Sequence, residues 1–199
     1  MNIILASQSP RRKELLERMG LSGFAIIPAQ GDETCPPGCT PAEMVEELSR
    51  RKCAEVAGSR PDDLVIAADT VVAIDGRILG KPHSEEQAAQ MLALLSGREH
   101  RVYTGLTVSR GGQAVTEHEI THVRFRSLSG ADIDHYVATG EPMDKAGAYG
   151  VQGYGCVLVE GVFGDYYNVM GLPVCRLARL LARFGVDPLA LAAEKEQRT

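Results

Sequence analysis

Short apolar runs alternate with amphipathic stretches along the first half of the chain, and this alternation is typical of a mixed α/β fold. Ile3 to Leu5 and Leu64 to Ala68 are continuous apolar runs, which predict buried strands. Asp69 and Thr70 interrupt the second run before Val71 to Ile74 resumes it. Because aspartate is disfavoured in strands, we expect the strand to end at Asp69.

Capping signals mark where the predicted helices begin. Ser9 offers a side-chain oxygen as a helix cap, and the φ angle of the following Pro10 is already fixed at a helical value. This pair predicts the start of a helix, and Gly20 predicts its end. Thr40-Pro41-Ala42-Glu43 is a capping box that opens the next helix, and Ser84 opens another in the same way. Further helices are predicted after Ser129, after Pro173 and in the C-terminal tail.

The middle of the chain carries hairpin signals. Asp75-Gly76 lies between apolar runs and predicts a tight turn. Val102 to Val108 has apolar residues on alternating positions, and Arg110-Gly111-Gly112 follows as a turn signal. We therefore expect a strand here, paired with a second strand near Ile120 to Phe125.

A glycine-rich segment from Asp144 to Gly155 stands out in the second half, with four glycines in nine residues. It predicts a loop whose backbone turns sharply or approaches something closely. The segment lacks the Gly-Lys-Ser/Thr ending of a Walker loop, and no helix pattern follows it as in a dinucleotide fingerprint. After it we expect a buried strand over Cys156 to Val162 and a loop over Gly164 to Asn168.

Composition places the chain among globular proteins and limits its size. Its 199 residues suffice for one sizeable core, or at most two lobes, and 44% of them are hydrophobic. No stretch has the composition of a linker, so we predict one domain over residues 1–199, with about 186–199 as a C-terminal tail.

Charge and apolar run length argue against two classes of partner. A net charge of −5 disfavours a protein that coats nucleic acid, although a small polyanion needs only a local basic pocket. No apolar run approaches the ~20 residues of a membrane span. Because Met1 leads straight into the first predicted strand, we expect no signal peptide. The five scattered cysteines are interpreted as reduced thiols of a cytoplasmic protein.

The segment after the first strand is the strongest candidate for binding chemistry. It holds Ser7, Ser9, Arg11 and Arg12 at the start of a helix, where backbone N–H groups and the helix dipole attract anions. Cations in a first helical turn are unfavourable unless an anion lies among them. A solvated charge cluster is an equal alternative for the basic residues alone. With both serines at the end of a strand, a phosphate site is favoured.

Two charged residues at apolar positions extend this hypothesis. Asp69 lies between apolar runs, where an unpaired carboxylate is costly, so it is a candidate for acid–base or metal chemistry. Lys52 falls on the apolar stripe of its helix, where a lysine either snorkels at the edge or reaches an anion. Because this charge lies near the core, sequence alone predicts that Lys52→Met leaves stability unchanged or slightly higher.

Two further charged residues have weaker local signals. Lys81 precedes Pro82, which favours an extended backbone and a fixed direction for the lysine. Glu33 lies beside Asp32 in a polar loop, where solvent-exposed acids are the commoner interpretation.

Five segments of the chain, taken in order, resemble the signature segments of the Maf family of cytoplasmic nucleoside triphosphate pyrophosphatases. The resemblance runs from about Ile3 to the last long helix. It implies an elongated, twisted mixed β-sheet flanked by helices, with two lobes around a deep cleft, as in inosine triphosphate pyrophosphatases. The segments are Ser7 to Arg12, Ala68 to Val71, Gly80 to Pro82, Asp144 to Gly153 and Gly171 to Pro173.

The resemblance also implies a reaction and a role for individual residues. The family hydrolyses a nucleoside triphosphate to the monophosphate and pyrophosphate with a divalent cation, Mg²⁺, Mn²⁺ or Co²⁺. The loop from Gly147 to Gly153 is similar to that of the branch acting on dTTP and UTP. Asp69 matches the proton acceptor and Glu33 a second acidic position, and both could hold the metal. The positions that hold the phosphates in the family are matched by Ser7, Arg12, Lys52 and Lys81. The two lysines also belong to the catalytic set. The positions that distinguish subfamilies are matched by Arg12, Thr70 and Gln152.

Two other classes of function are weighed against hydrolysis. A nucleotide-binding regulator of cell division without turnover is one, and a kinase or nucleotidyltransferase is the other. Asp69 argues against a pure binder, because a carboxylate repels a triphosphate. The oligomeric state is left open, with a homodimer among the alternatives.

Overall fold

Seven strands form one mixed sheet flanked by helices, which confirms the predicted α/β class. The computed structural model describes residues 2–31, 34 and 38–197, and in that part of the chain no helix has the length and apolarity to cross a membrane. The strands are β1 (Ile3–Leu5), β2 (Ala25–Ile26), β3 (Leu64–Ile74), β4 (Arg77–Leu79), β5 (Glu99–Arg110), β6 (Gln113–Phe125) and β7 (Val159–Phe163). The helices are α1 (Pro10–Arg18), α2 (Pro41–Ser59), α3 (Glu85–Leu95), α4 (Gly130–Ala138), α5 (Tyr166–Val169), α6 (Val174–Ala182) and α7 (Pro188–Glu196), and 3-10 turns cover Glu141–Asp144, Ala146–Ala148 and Tyr154–Leu158.

The sheet is parallel around β1 and antiparallel at β4 and β7. The strand order is β2-β1-β3-β5-β6-β7, and β4 pairs with β3 outside this path. β1 pairs in parallel with β2 and with β3, so that Leu5 is aligned with Ile26 on one side and with Ile66 on the other. β4 is antiparallel to β3, and β7 is antiparallel to β6.

The chain divides into two compact units. The first unit comprises Met1–Asp69, Thr104–Glu119 and Gly171–Thr199, and the second comprises Thr70–Tyr103 and Ile120–Met170. The boundaries fall inside β3, β5 and β6, each of which contributes residues to both units. The prediction of one domain over residues 1–199 and the implied cleft stay predictions.

In the first unit, α2 packs on the parallel strands. Cys53 and Val56 of α2 form a buried cluster with Ile4 of β1 and with Val65 and Ala67 of β3. The helix begins at the predicted capping box, with both of its reciprocal hydrogen bonds formed. The amphipathic pattern and the cap therefore agree on where α2 starts and which face it buries.

Gly105 of β5 sets how closely α2 approaches the sheet. A Cβ atom on Gly105 would overlap the backbone carbonyl group of Val45, which cannot swing away as a side chain could. Lys52 lies about two turns further along α2 than Val45. The close approach at Gly105 therefore also determines where Lys52 meets the strands.

The core of the second unit is built by α3 and α4 against the sheet. Leu92 and Leu95 of α3 and Ile133 of α4 pack in one cluster with Phe125 of β6. The glycine-rich segment contributes to this core, because its Tyr149 is buried there. The segment predicted as a loop is therefore an integral part of the packing.

Several local predictions are corrected by the structure. β3 continues through Asp69 without a break. β7 is a partly exposed strand that starts at Val159, because Cys156 belongs to the 3-10 turn before it. The expected loop after Gly164 contains α5, whose first N–H groups donate to the Asp165 carboxylate. α5 has only four residues, which is too few for an apolar repeat to predict a helix.

We predict that Gly105→Ala destabilises the protein by about 2 kcal/mol or more, because backbone on both sides of the contact must move. Urea unfolding followed by circular dichroism measures the change. Gly58→Ala is the matched control, since Gly58 lies exposed in α2 with open space around its Cα. That control should stabilise by about 0.5–1 kcal/mol through helix propensity. Equal effects of the two substitutions would contradict the close approach.

Candidate active site

The first unit places the carboxyl end of β1 beside the first half of β3, which continues beyond this point to Ile74. α1 connects β1 to β2 on one side, and α2 returns the chain to β3 on the other side of β1. Open α/β sheets bind ligands at such a switch point, just beyond the carboxyl ends of the strands. The pairing of β1 with β3 ends where the Ala6 N–H donates to the Ile66 carbonyl at 2.8 Å. Ser7 follows Ala6 directly, and Asp69 lies three residues after Ile66 within β3.

The loop after β1 is ordered by its own hydroxyl groups. Ser9 caps α1, and its Oγ accepts the Arg12 N–H at 3.5 Å. The buried Ser7 Oγ accepts the Ser9 N–H at 3.2 Å and Nη1 of Arg12 at 3.1 Å. Arg12 Nε donates to the Gly171 carbonyl at 2.8 Å. The guanidinium of Arg12 is therefore anchored from two sides beside the N-terminus of α1.

Lys52 and Asp69 form an ion pair at the same switch point. Lys52 Nζ donates to Asp69 Oδ1 at 2.6 Å, and the two side chains are only 16% and 11% exposed. Lys52 therefore reaches a carboxylate of the same chain, and its role towards a bound anion stays a prediction. The pair also explains why β3 tolerates Asp69, because a buried carboxylate is costly unless it is paired and hydrogen-bonded.

The other charged residues of this loop and its surroundings differ in placement. Arg11 is half-buried in the first turn of α1, next to Arg12. Lys13 is exposed and its ammonium lies 3.7 Å from the Glu17 carboxylate, so it belongs to the solvated surface. Glu33, predicted as the second acidic residue of the site, lies outside the described residues.

The remaining predicted site residues belong to the second unit. Thr70 is half-buried in β3, whereas Lys81 and Gln152 are exposed. The Gly80 carbonyl accepts the Gly147 N–H at 3.0 Å. The segment that carries Lys81 is therefore joined to the glycine-rich segment that carries Gln152.

Sequence reasoning missed Glu141, around which the glycine-rich segment folds. Its carboxylate accepts hydrogen bonds from the Tyr136 hydroxyl at 2.8 Å, the Tyr154 N–H at 2.8 Å and the Gly155 N–H at 3.1 Å. Burial alone would raise the pKa of the Glu141 carboxyl, but these hydrogen bonds and the nearby Lys145 outweigh it and lower the pKa. The available signal was an acidic residue close to many glycines, whose N–H groups need acceptors when they are buried.

His100 of β5 is a second residue that the sequence pattern did not single out. Its Nε2 lies 2.8 Å from the Tyr149 hydroxyl oxygen, and the rings of His100, Phe125 and Tyr149 pack edge to face. Burial lowers the pKa of His100 to about 4, so the imidazole is neutral near pH 7. This cluster fixes the Tyr149 end of the glycine-rich segment in the core of the second unit.

The donor set at the switch point suits a metal that is bound together with a phosphorylated ligand. Within residues 2–31, 34 and 38–197, no three His, Cys, Asp or Glu side chains gather in a way that could hold a metal ion. Mg²⁺ in phosphate sites commonly takes one or two carboxylates and completes its shell with phosphate and water oxygens. Asp69 can supply one such carboxylate.

Parallel strands with an anchored guanidinium and an ion pair at their switch point define an α/β protein with a candidate site for a phosphorylated ligand. The family model described as Maf-like protein matches residues 2–184. The chain belongs to the Maf family. This membership confirms the resemblance that the five sequence segments indicated.

Similar proteins cover almost the whole chain. The dTTP/UTP pyrophosphatase of Pelotomaculum thermopropionicum is 53% identical over 94% of this chain and 98% of its own length. The dTTP/UTP pyrophosphatase of Moorella thermoacetica is 54% identical over 93% of this chain and 96% of its own. Among solved structures, a dITP/XTP pyrophosphatase of Mycobacterium abscessus superposes with a TM-score of 0.48 at 17% identity, over 92% of this chain and 98% of that one.

The ion pair changes the expected effect of replacing Lys52. Lys52→Met leaves Asp69 as an unpaired, largely buried carboxylate, so we expect a loss of about 3 kcal/mol where the sequence alone suggested none. Adding Asp69→Asn removes that charge, and the double variant should be more stable than Lys52→Met. Urea unfolding of wild type, both single variants and the double variant should give a coupling free energy of about 1–3 kcal/mol.

The exposed pair of Arg98 with Asp75 provides a control for this cycle. Its side chains are 42% and 59% exposed at a separation of 2.6 Å. Solvent screens such pairs, so the same cycle there should give less than about 1 kcal/mol. Additive effects of the Lys52 and Asp69 substitutions would show that the pair is not energetically coupled.

Proposed function

We propose that this protein is a nucleoside triphosphate pyrophosphatase that hydrolyses dTTP and UTP to the monophosphate and pyrophosphate. Such an activity suits the removal of non-standard or excess nucleotides. The relatives named dTTP/UTP pyrophosphatase support it, at 53% and 54% identity over nearly the full chain. The structural observation that carries the proposal is the Lys52–Asp69 ion pair at the switch point that also holds the anchored Arg12.

The loop after β1 supplies the first contacts of the proposed phosphate site. Arg12 offers a planar fork of donors that suits phosphate oxygens, and its anchoring limits the entropy lost on binding. Ser7 and Ser9 add hydroxyl groups beside the N-terminus of α1, which favours negative charge. Arg11 adds a second guanidinium in the same helical turn.

Lys52 has two anionic partners in this proposal. Without substrate it neutralises Asp69, and a bound triphosphate offers a second set of negative oxygens. A shift of Lys52 towards the phosphates frees the Asp69 carboxylate to act on water. Lys81 is the other lysine proposed to bind the phosphates, as a compact point charge.

The proposed reaction is an attack of water on the α-phosphorus. Asp69 orients the water and accepts its proton while the bond from the water oxygen to the α-phosphorus forms. The bond from the α-phosphorus to the bridging oxygen breaks, and pyrophosphate leaves with that oxygen and the electron pair. Phosphoryl transfer depends mainly on positioning and on charge neutralisation, which the cationic residues provide.

A divalent cation, Mg²⁺, Mn²⁺ or Co²⁺, is part of this proposal. Asp69 would hold it together with phosphate and water oxygens, and Glu33 is proposed as a second carboxylate. When bound, such an ion neutralises phosphate charge and polarises the oxygens that it contacts.

Base selection is assigned to Gln152, with Thr70 and Arg12 at the other positions that distinguish subfamilies. The Gln152 amide offers both a donor and an acceptor to a base edge. Thymine and uracil present O4 and N3–H side by side, a pattern that one amide can match. Purines are larger, and cytosine replaces O4 by an amino group that reverses one hydrogen bond.

A nucleotide-binding regulator of cell division is the weaker alternative. A binder gains nothing from Asp69, which both repels a triphosphate and requires Lys52 as a partner. A cytoplasmic location stays a prediction from the cysteine pattern, and a homodimer stays open. Nucleic acid is not proposed as a partner, because the net charge of the chain is −5.

Asp69→Asn keeps the shape of the side chain but removes the proposed proton acceptor. We expect kcat for pyrophosphate release from dTTP to fall roughly a hundredfold or more. Binding of a non-hydrolysable dTTP analogue should be retained or tightened, because a negative charge near the phosphates is gone. The assay contains Mg²⁺ and no acceptor nucleotide or alcohol, and calorimetry measures the affinity.

Asp62→Asn serves as the control, since Asp62 is exposed before β3. It should leave turnover unchanged. Near-normal turnover in Asp69→Asn would sink the assignment of the proton acceptor. No pyrophosphate from the wild type would point to a regulator, and release only with an added acceptor would point to a transferase.

A panel of dTTP, UTP, CTP, ATP and GTP tests base selection. We expect dTTP and UTP to have the highest kcat/KM, CTP to be weaker and both purines to be weakest. Gln152→Ala should reduce these differences more than it lowers the best rate, because it removes the paired donor and acceptor. A purine triphosphate at the top, or an unchanged ranking in Gln152→Ala, would refute this role.

A further inference from the structure

The Glu141 carboxylate holds the backbone that follows Gln152. Its Oε2 accepts the Tyr154 N–H at 2.8 Å and its Oε1 accepts the Gly155 N–H at 3.1 Å. All of these residues lie in the second unit. Two successive backbone donors therefore converge on one side chain, just after the exposed Gln152.

The same carboxylate also holds the backbone that precedes Gln152, through Tyr136. The Tyr136 hydroxyl donates to Oε1 of Glu141 at 2.8 Å and accepts the Gly150 N–H at 3.0 Å. Burial raises the pKa of Tyr136, as does the neighbouring Glu141, so this hydroxyl stays protonated and keeps its donor. Gln152 is thus flanked on both sides by backbone that is connected to Glu141.

Two glycines of the segment leave room for this arrangement. A Cβ on Gly153 would overlap the Glu141 carboxylate itself. A Cβ on Gly150 would lie 2.6 Å from Cε of Lys145 and 3.2 Å from Oε1 of Glu141. A side chain at either position would displace the Glu141 carboxylate or the Lys145 stem from the contacts described above.

Glu141 is itself held in place and charged. Lys145 Nζ donates to the Glu141 carbonyl at 2.7 Å and to the Asp144 carboxylate at 2.6 Å. The carboxylate is ionised near pH 7, because its hydrogen bonds keep its pKa below the usual value. Hydrogen bonds to an ionised acceptor are roughly twice as strong as neutral ones, so the backbone around Gln152 is firmly fixed.

We propose that Glu141 is the positioning residue for base selection, fixing the backbone on both sides of Gln152 so that its amide meets the edge of a pyrimidine triphosphate. This inference rests on the proposed function and deepens it. Glu141 does not touch the substrate in this proposal and acts through the loop. Recognition of a base edge by one amide needs placement to within about 0.5 Å, which an unsupported glycine-rich loop does not provide.

Glu141→Gln tests the proposal with a side chain of the same size. An amide has one acceptor oxygen, and its NH₂ group would face a backbone N–H, so at least one of the bound donors loses its partner. We expect KM for dTTP to rise roughly tenfold and the dTTP/ATP ratio of kcat/KM to fall by a similar factor, with kcat much less affected.

Two further variants separate positioning from general stability. Tyr136→Phe removes only the hydroxyl that links Gly150 to Glu141, and it should lower the dTTP/ATP ratio in the same direction but less. Glu160→Gln is the matched control, because Glu160 is 57% exposed in β7 and pairs with the exposed Arg124 at 2.9 Å. That control should leave KM and the ratio unchanged.

Amide hydrogen exchange provides a readout that does not depend on turnover. In Glu141→Gln, exchange at Tyr154 and Gly155 should accelerate, while exchange in the core strand β3 stays at the wild-type rate. Uniform acceleration across the protein would mean general destabilisation and would overturn the positioning role.

The results distinguish this inference from the function on which it rests. If the wild type prefers dTTP and Gln152→Ala loses that preference, an unchanged ratio in a folded Glu141→Gln overturns the positioning role alone. If Glu141→Gln does not fold, an unchanged dTTP/ATP ratio of kcat/KM in Tyr136→Phe overturns the positioning role instead. If the wild type releases no pyrophosphate from dTTP or UTP, the proposed function itself fails, and with it the role of Glu141 in base selection.

Discussion

Burying a carboxylate inside a strand costs several kcal/mol unless a cation reaches it, and the first unit is built so that one does. Asp69 lies in β3, and Lys52 meets it from α2 at 2.6 Å. For that contact α2 must start at a fixed residue and lie at a fixed distance from the sheet. The Thr40 capping box determines the start, and the missing side chain of Gly105 permits the distance. The helix cap, the packing and the site are therefore coupled through one ion pair.

The second unit compensates a half-buried carboxylate by a different means. Glu141 is compensated by backbone N–H groups and a tyrosine hydroxyl, whereas Asp69 is compensated by a flexible ammonium. Several donors in fixed backbone hold a carboxylate in one arrangement. A single lysine can exchange its partner for a phosphate and leave the carboxylate free. The two environments thus suit the different roles proposed for these residues, positioning for Glu141 and proton transfer for Asp69.

Interactions between neighbouring residues made much of the fold predictable from the sequence. The features that were not predicted depend on contacts between residues far apart in the chain. The Thr40 box and the Asp75-Gly76 turn are decided by adjacent residues, and both form as predicted. The expected break of β3 at Asp69 was wrong, because the compensating Lys52 lies 17 residues earlier in the chain and its reach depends on tertiary packing. Glu141 was missed for the same reason, since its bonded donors converge only once the glycine-rich segment is folded. The candidate site residues were predicted mostly through the family resemblance, and local pattern alone indicated only the loop after β1, Asp69 and Lys52.

The energetics of the switch point bear on whether the protein turns its ligand over. A pair of apolar residues in place of Lys52 and Asp69 would be about as stable or more so, because burying two charges offsets most of their attraction. For a triphosphate binder, Asp69 would carry a second cost, since it cancels the charge of Lys52 where phosphates need it. A hydrolase needs a group that takes a proton from water next to the phosphate, and a carboxylate held by an exchangeable lysine provides it. In the proposed hydrolase, the cost of burying the ion pair and the cost of weaker phosphate binding both follow from placing a base beside an anionic substrate.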